Sequence, residues 1–288
     1  MLVLFDAFEI GMLFAILSFG VFITFRILNI PDLTIDGSFT TGCAISAVFV
    51  TMQAPFLGIF MAVLAGALCG LVCGLLQTKG KIQPLLAGIL TMTALYSVNL
   101  KIMSNQPNIA LFQMETIFTK VREVLTFDAT PYILVLILLF LMMILYAFFN
   151  TQLGLSLRAT GDNEAMVKAS SINAEHMKML GIALANAIVA FAGALFAQYQ
   201  HFADISGGVG MMVVGLASVI VGEALCHCHS LLGQLAGVVI GAIVYRLILT
   251  LALQFGIAAS DLNIVSATLV AIAISLPQLK KRMLKEGK

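Results

Sequence analysis

The stretch PYILVLILLFLMMILYAFFN, residues 131–150, is almost wholly apolar and contains no charged side chain. A helix needs about 20 apolar residues to cross the hydrocarbon core of a bilayer, so this stretch is long enough to span a membrane. In lipid a helix satisfies all of its backbone polar groups internally and needs no polar coat. The stretch therefore predicts a transmembrane helix, and it decides the fold class.

The rest of the chain has the same character. Of its 288 residues, 61% are hydrophobic and 10% are charged, and the mean hydropathy is +1.07. Soluble domains carry roughly 25% charged residues, so this chain lacks the side chains that would cover a soluble globule. Its formal net charge of +1 gives no indication of nucleic-acid binding. We expect the lipid bilayer to be its surroundings and nucleic acid not to be a partner.

Apolar segments of about 20 residues recur along the whole chain. They predict nine spans, at residues 9–29, 37–54, 55–77, 83–103, 131–150, 177–200, 208–226, 230–253 and 260–277. The first segment has no basic n-region and no small-residue cleavage site, so we expect it to remain as a span. The fold class predicted is an all-α, polytopic helical bundle that forms one transmembrane domain over residues 1–288.

Lys and Arg are distributed unequally between the two ends of this bundle. With the C-terminus inside, eleven of the 15 fall on the cytoplasmic side and three, Lys101, Lys120 and Arg122, fall outside. The remaining one, Arg246, lies within a span. The positive-inside rule predicts a cytoplasmic C-terminus, and nine spans then place the N-terminus outside.

Two polar segments separate the predicted spans. The external loop, residues 104–130, contains a stretch with helical spacing of apolar residues between Leu111 and Leu125. We expect that stretch to lie on the membrane surface over the outer mouth.

The second polar segment, residues 151–178, is predicted on the cytoplasmic side as a loop, a short helix and a second turn. Asp162 or Asn163 is placed to cap the helix, and the acidic Glu164 is favourable in its first turn. A helix with a shallow face would dock into a groove on a partner. The small side chains of that face are Ala165, Val167 and Ala169.

Polar residues within or beside the spans are the candidates for a solute path. Intramembrane polar groups are costly to insert, so each one is a functional hypothesis. The candidates are Asp32, Thr34, Asp36, Ser38, Asn99, Asn186 and Gln198. Asp32 and Asp36 belong either to an ordinary cytoplasmic turn that caps the next helix or to a structured break that moves during transport. For Asn186 and Gln198, a hydrogen bond between helices is the alternative to solute contact.

The remaining polar residues and the cysteines give no indication of a metal site. Glu223 and Arg246 would either pair between adjacent spans or reach the surface separately. Four successive ligands in Cys226-His227-Cys228-His229 cannot all reach one tetrahedral ion, so we interpret this stretch as a tight turn and expect no metal site. The remaining cysteines are interpreted as small packing residues. They are Cys43, Cys69 and Cys73.

Sequences that would support catalysis or nucleotide binding are missing from the chain. It contains no Walker A, GxSxG or HExxH sequence. We therefore expect no catalytic residue, no enzyme activity and no cofactor in this chain, and ATP hydrolysis on a separate subunit if transport is active.

Three stretches resemble permeases for branched-chain amino acids and ribose-type sugars. They are GVFITFRILNIPDLTIDGSFTTGCAISA (20–47), GLSLRATGDNEAMVKASSINAEHMKML (154–180) and GLASVIVGEAL (215–225). The resemblance covers residues 10–278, and the stretch within 151–178 is its most specific part. Two departures stand out: Ser171-Ile172-Asn173 replaces Gly-Ile-Asn, and CHCHS at 226–230 replaces a Gly-rich turn.

The resemblance implies a bacterial inner-membrane importer driven by ATP-binding-cassette subunits. Two permease copies would pair, each docked on one of two nucleotide-binding subunits that hold ATP and Mg, and an extracellular or periplasmic binding protein would deliver the solute. The coupling helix would fall on residues 162–171. The coupling residues it implies are Arg158, Gly161, Asp162, Asn163, Glu164, Ala165, Ala169 and Asn173.

The residues do not identify the transported solute. The sequence NIPDLTIDGSFTTG, residues 29–42, is most similar to that of a permease subgroup for tryptophan, tyrosine or similar amino acids. The same machinery importing a sugar or nucleoside is one alternative. An ion-coupled secondary transporter, with paired broken helices, and a membrane scaffold without transport are others; one possible break, at 29–38, is evident in the sequence.

Overall fold

The computed structural model describes residues 2–125, 130–226, 228, 230–257, 261, 264–269 and 271. Most of these residues are helical. The helices are α1 (Leu2–Val21, continued by a π-helical turn at Phe22–Ile27), α2 (Thr34–Thr51), α3 (Pro55–Thr78), α4 (Pro84–Ile102), α5 (Ile117–Leu125), α6 (Thr130–Phe149), α7 (Gln152–Asp162), α8 (Glu164–Ala169), α9 (Ala174–Gln200), α10 (Met211–Cys226) and α11 (Leu231–Gln254). Two short strands, β1 (Asn108–Ala110) and β2 (Phe202–Asp204), pair antiparallel.

Six of the described helices are long and apolar enough to cross a membrane: α1 with its π-helical turn, α3, α4, α6, α9 and α11. The predicted class of an all-α, polytopic membrane protein is thereby confirmed. Two further predicted spans correspond to α2, with 18 residues, and to the shorter apolar helix α10, with 16. The ninth predicted span, residues 260–277, lies largely outside the described residues.

The structure differs from the sequence-based boundaries in four places. The first span begins at Leu2 rather than residue 9, and the seventh begins at Met211 because residues 205–210 form turns. The predicted loop at 152–162 is helical, since Thr151 caps it by accepting a hydrogen bond from Gly154 N. The two-stranded sheet was not predicted, because three-residue strands carry too little periodicity to be recognised.

Helix α9 is the central element of the bundle and packs against α1, α2 and α3. Backbones of α2 and α9 touch directly where glycines replace side chains. A Cβ on Gly42 would overlap the carbonyl oxygen of Ala190, and a Cβ on Gly193 would overlap that of Phe39. Small residues allow this close approach in membranes, where packing rather than the hydrophobic effect holds helices together.

The first turn of helix α2 lies level with the middle of helix α9. Ser38 near its start contacts Asn186, and Ser46 farther along contacts Ala194, so the two helices run in the same direction. The non-helical residues 28–33 therefore lie inside the bundle. The first turn of α10 meets the same level through Asp36, which makes residues 205–210 a second interruption there.

Candidate functional site

A network of hydrogen bonds surrounds the first interruption of the helices, the non-helical residues 28–33. The carboxylate of Asp32 accepts hydrogen bonds from Asn186 Nδ2 at 2.8 Å and from the Thr34 backbone N at 2.9 Å. Asn186 Oδ1 in turn accepts a hydrogen bond from Ser38 Oγ at 2.7 Å. Cys73 on α3 adds a weak donor to Asp32 at 3.7 Å. The network thus joins the break to α2, α3 and α9.

All four oxygen- or nitrogen-bearing members of this network are completely buried: Asp32, Thr34, Ser38 and Asn186. Irregular backbone inside a membrane protein is tolerated where protein groups satisfy it. Asp32 therefore does not lie in a solvent-exposed turn. The structure places Asp32 in an interior network of hydrogen bonds that holds the break in shape.

Gln198 lies near the C-terminal end of α9 and joins four elements, α9, α2, α3 and α5. Its Nε2 donates to Ser46 Oγ at 3.0 Å and to the Pro55 carbonyl at 3.1 Å. Its Oε1 accepts from the backbone N of Ile117, the first residue of α5, at 3.0 Å. The side chain is fully buried. Gln198, like Asn186, makes the hydrogen bonds between helices that the sequence offered as the alternative to solute contact.

Asp36 connects α2 to the second interruption. Its Oδ2 accepts a hydrogen bond from Gly210 N at 2.9 Å, and its Oδ1 accepts one from Met212 N at 2.7 Å. The first backbone N–H groups of a helix lack partners within the helix, and a negative charge there also matches the helix dipole. Asp36 therefore caps α10 from a distant position in the sequence.

A cavity of about 180 Å³ opens beside Asp36, between α2, α4 and the turns at 205–210. Asn99 on α4 lines it and is 1% exposed. Its Nδ2 donates to the Gly37 carbonyl at 3.3 Å, while its Oδ1 has no hydrogen-bond partner among the described residues. An unpaired buried acceptor costs about 1–3 kcal/mol. Of the seven path candidates, Asp36 and Asn99 are the two that line this cavity.

The cavity opens on an exposed flank of the bundle. Tyr96 is 54% exposed, Val209 is 72% exposed, and Thr93 between them is exposed as well. Asp36 is partly exposed on the same flank. An ionisable group at this depth is expected to face protein or a water-filled passage rather than lipid.

The segment 151–178, predicted to be cytoplasmic, forms two short helices and a turn. Asn163 ends α7 and caps α8, accepting a hydrogen bond from Met166 N at 3.1 Å. Asn173 caps α9 in the same way through His176 N at 3.2 Å. Gly161 sits where a Cβ would overlap the Ile27 carbonyl, so α7 packs tightly under the end of α1.

Glu164 fastens α8 to the bundle. Its carboxylate binds Lys178 on α9 at 2.5 Å and Lys168 on its own helix at 2.9 Å. Hydrogen bonds from Lys178 and then Lys168 hold the pKa of Glu164 below its usual range. The buried Val167 adds an apolar contact on the inner side.

The outer side of α8 is free of intramolecular cover. The exposed residues there are Asp162, Asn163, Ala165, Met166, Ala169 and Ser170, with Met166 54% exposed. Arg158 on α7 is partly exposed, as is Glu164. Of the predicted face, Ala165 and Ala169 are exposed, but Val167 is buried against the bundle because it lies on the inner side of this short helix, and Met166 and Lys168 share the exposed side.

Glu223 and Arg246 do not pair. Glu223 binds Arg26 Nε at 2.7 Å, and Arg246 lies over the Phe14 ring at 5.6 Å from its centroid. The sequence could not indicate this, because the partners come from helices distant in sequence. Cys43, Cys69 and Cys73 are buried packing residues, as predicted. Within the described residues no group of His, Cys, Asp and Glu could hold a metal ion, and His227 and His229 lie outside those residues.

Sequence reasoning missed the residues that complete the cavity around Asp36. They include Met92 and Tyr96 on α4, Ile205 and Val209 on the turns, and the hydroxyl-bearing Thr40 and Thr93. All of them lie within or beside apolar segments and carry no signal of their own. The glycines around position 208 were the available hint, since a Cβ on Gly208 would overlap the Asp36 carbonyl.

Comparison with known proteins identifies relatives along the whole length. The family described as "Branched-chain amino acid transport system / permease component" matches residues 3–275. The chain is 34% identical to a tyrosine transport system permease protein of Clostridioides difficile, over 90% of this chain and 86% of the relative. It is 33% identical to an uncharacterised protein of Rickettsia prowazekii, over 95% and 97%.

A sugar permease is also among the relatives. The chain is 26% identical to the ribose import permease protein RbsC of Haemophilus influenzae, over 82% of this chain and 69% of that relative. No solved structure matches the chain at a significant level.

Proposed function

Since the chain belongs to the family of permease components of branched-chain amino acid transport systems, we propose that two copies of it enclose the path of an importer for an amino acid. It is the permease component of an ABC-type transport system and a multi-pass membrane protein. The amino acid is favoured over a sugar because the tyrosine permease is the more similar of the two kinds of named relative.

The observation that carries the proposal is the flank around Asp36. The start of α10, which follows the turns at 205–210, meets Asp36 in the first turn of α2, and Asp36 is partly exposed there. Lipid against this flank would face a carboxylate and the exposed Thr93, which is unfavourable. A second copy of the chain across a water-filled path satisfies these groups, so the flank is proposed to face the path.

Nine spans are proposed, with the N-terminus outside and the C-terminus in the cytoplasm. Basic residues of distant segments gather at one end, where Arg26 binds Glu223, Lys79 binds Glu175 and Lys178 binds Glu164. The positive-inside rule favours that end as cytoplasmic. The paired strands β1 and β2 then lie on the outer side, where a binding protein would dock and α5 would cover the mouth.

The cytoplasmic face of α8 is the proposed contact with the ATP-binding-cassette subunit. Glu164 anchors α8 to α9, so a push on the helix would be passed to the bundle rather than absorbed by a loose loop. ATP and Mg would bind on that subunit, in two copies per complex, in the bacterial cytoplasmic membrane. Rigid-body rocking of the two permeases would then alternate access to the path.

Reconstitution tests the proposal. The permease, its cognate ATPase and its cognate binding protein are placed in proteoliposomes, and ATP hydrolysis and uptake of L-tyrosine and ribose are measured. We expect two permeases and two ATPases in the complex by native mass spectrometry, and hydrolysis and L-tyrosine uptake that both rise when loaded binding protein is added.

Two results would contradict the importer. Uptake that follows an ion gradient without ATP would identify a secondary transporter, for which the paired interruptions at 28–33 and 205–210 are a specific structural argument. Failure of the chain to associate with any ATPase would favour a scaffold. Uptake of ribose in preference to L-tyrosine would keep the importer and overturn the solute class.

A further inference from the structure

The cavity between α2, α4 and the turns at 205–210 has an unusual balance of hydrogen-bonding groups. Among its polar lining groups, the partly exposed Asp36 and the buried Asn99 present oxygen acceptors, whereas the Thr40 and Thr93 hydroxyls already donate to the Asp36 and Leu90 carbonyls. Met92, Tyr96, Ile205 and Val209 supply apolar and aromatic walls. Among the described residues, no Lys, Arg or His lines the cavity.

Asp36 keeps acceptor capacity after it has capped α10. A carboxylate offers about four lone-pair sites, and two of them are used by Gly210 N and Met212 N. Those contacts engage the N–H groups of Gly210 and Met212 at the start of α10, and Met211 N donates to the Gly208 carbonyl. The helix end is therefore already paired with an anion and is not available to a second one.

Asn99 adds an acceptor with no partner. The Gly37 carbonyl can only accept, so it is the amide nitrogen of Asn99 that faces it. The amide oxygen, Oδ1, is buried and without a hydrogen-bond partner among the described residues. A buried polar oxygen left in this state indicates a ligand or water that donates to it.

From this balance we propose that the cavity is a solute subsite that takes a primary ammonium group attached to an apolar or aromatic body. The ammonium would donate to Asp36 and to Asn99 Oδ1, and the body would lie against Met92, Tyr96, Ile205 and Val209. The inference rests on the proposed function, and it adds which part of the solute the permease itself recognises. Among the described residues, no cationic side chain lines the cavity to pair with a carboxylate beside Asp36, so the solute's acidic group would lie outside it.

Saturation-transfer NMR on the permease–ATPase complex in nanodiscs tests the subsite without the binding protein, which would impose its own specificity. The probes are tyramine, with ring and ammonium; 4-ethylphenol, with the ring alone; 3-(4-hydroxyphenyl)propionate, with ring and carboxylate; and ribose. We expect tyramine to bind, and the other three probes to bind roughly tenfold more weakly or not at all, because they lack the charge-assisted hydrogen bonds.

Variants locate the binding. Asn99→Leu and Asp36→Asn should each weaken tyramine binding roughly tenfold or more. Asn99→Leu leaves the α10 cap intact, so it remains informative if Asp36→Asn destabilises the fold. Thr51→Val is the control, because it removes a polar group from α2 at an exposed position away from the cavity, a hydroxyl that donates to Val48 O of its own helix. It should bind tyramine as the unaltered protein does.

The subsite is overturned if tyramine and 4-ethylphenol bind equally, if ribose displaces tyramine, if no probe binds, or if Asn99→Leu and Asp36→Asn both leave tyramine affinity unchanged. Stimulation of ATP hydrolysis by the binding protein is measured on the unaltered complex in parallel. Its presence with any of these results removes the subsite alone, whereas its absence removes the proposed function.

Discussion

At the scale of single residues, the acidic and amide side chains inside the bundle divide into two groups. Asp32, Asn186 and Gln198 are buried, and their polar atoms are engaged by neighbouring helices. Asp36 and Asn99 keep unused acceptor capacity and line a cavity. The same residue types in the same class of segment therefore serve structure in one place and are proposed to serve binding in another.

Replacement of Asn186 by leucine tests the structural group. The change removes a donor to the Asp32 carboxylate and the acceptor of Ser38 Oγ, at a site with no access to water. We expect the free energy of unfolding in detergent to fall by about 2–4 kcal/mol, since a buried charged group loses a partner. Asn150→Leu, at an exposed amide at the end of α6, is the control and should change it little. An equal loss in both variants would contradict a special role for the network.

At the scale of elements, the short helices α7 and α8 hold a fixed position against the bundle, which a long flexible loop would not. Helix α8 has six residues and is held by Glu164, by the Asn163 cap and by buried Val167. Short helices are marginal in isolation, so tertiary contacts keep this one in place. The outer face remains open for the proposed ATPase contact.

The substitution Ala169→Trp tests that contact. The side chain is exposed, so tryptophan is accommodated in the isolated permease, but it would obstruct a shallow groove on a partner. We expect membrane insertion and thermal stability to be retained and co-purification of the ATPase to be lost. Thr51→Trp places the same bulk at an exposed position at the opposite end of the bundle. Normal ATPase binding by Ala169→Trp would exclude α8 as the docking element.

At the scale of the whole molecule, the bundle is arranged around the central α9, and its helices are interrupted at residues 28–33 and 205–210. Helices α2 and α10 each begin inside the bundle, and Asp36 joins their starts. Movement of either helix would change the position of the other through this carboxylate. The path proposed beside it is therefore coupled to the packing around α9.

Reporter fusions test the orientation of the whole chain. Lys81 follows α3 and Ser104 follows α4, so the two positions lie at opposite ends of the bundle. With the N-terminus outside, alkaline phosphatase inserted after Ser104 should be active and that inserted after Lys81 inactive. Green fluorescent protein at the two positions should give the reverse pattern of fluorescence. An inverted result at both positions would reverse the proposed topology.

Local sequence was enough to predict the membrane class, most of the long apolar helices, the short helix α8 with its Asn163 cap, and the family. Each depends on local composition, such as residues 131–150, or on a contiguous motif, such as 154–180. The packing in three dimensions was needed to show that Arg26 rather than Arg246 pairs with Glu223, that Asp36 caps α10 beside the turns at 205–210, and that Asn99 lines a cavity. These outcomes depend on which helices become neighbours, and an apolar helix carries little information about its partners, because lipid and a neighbouring helix favour the same side chains.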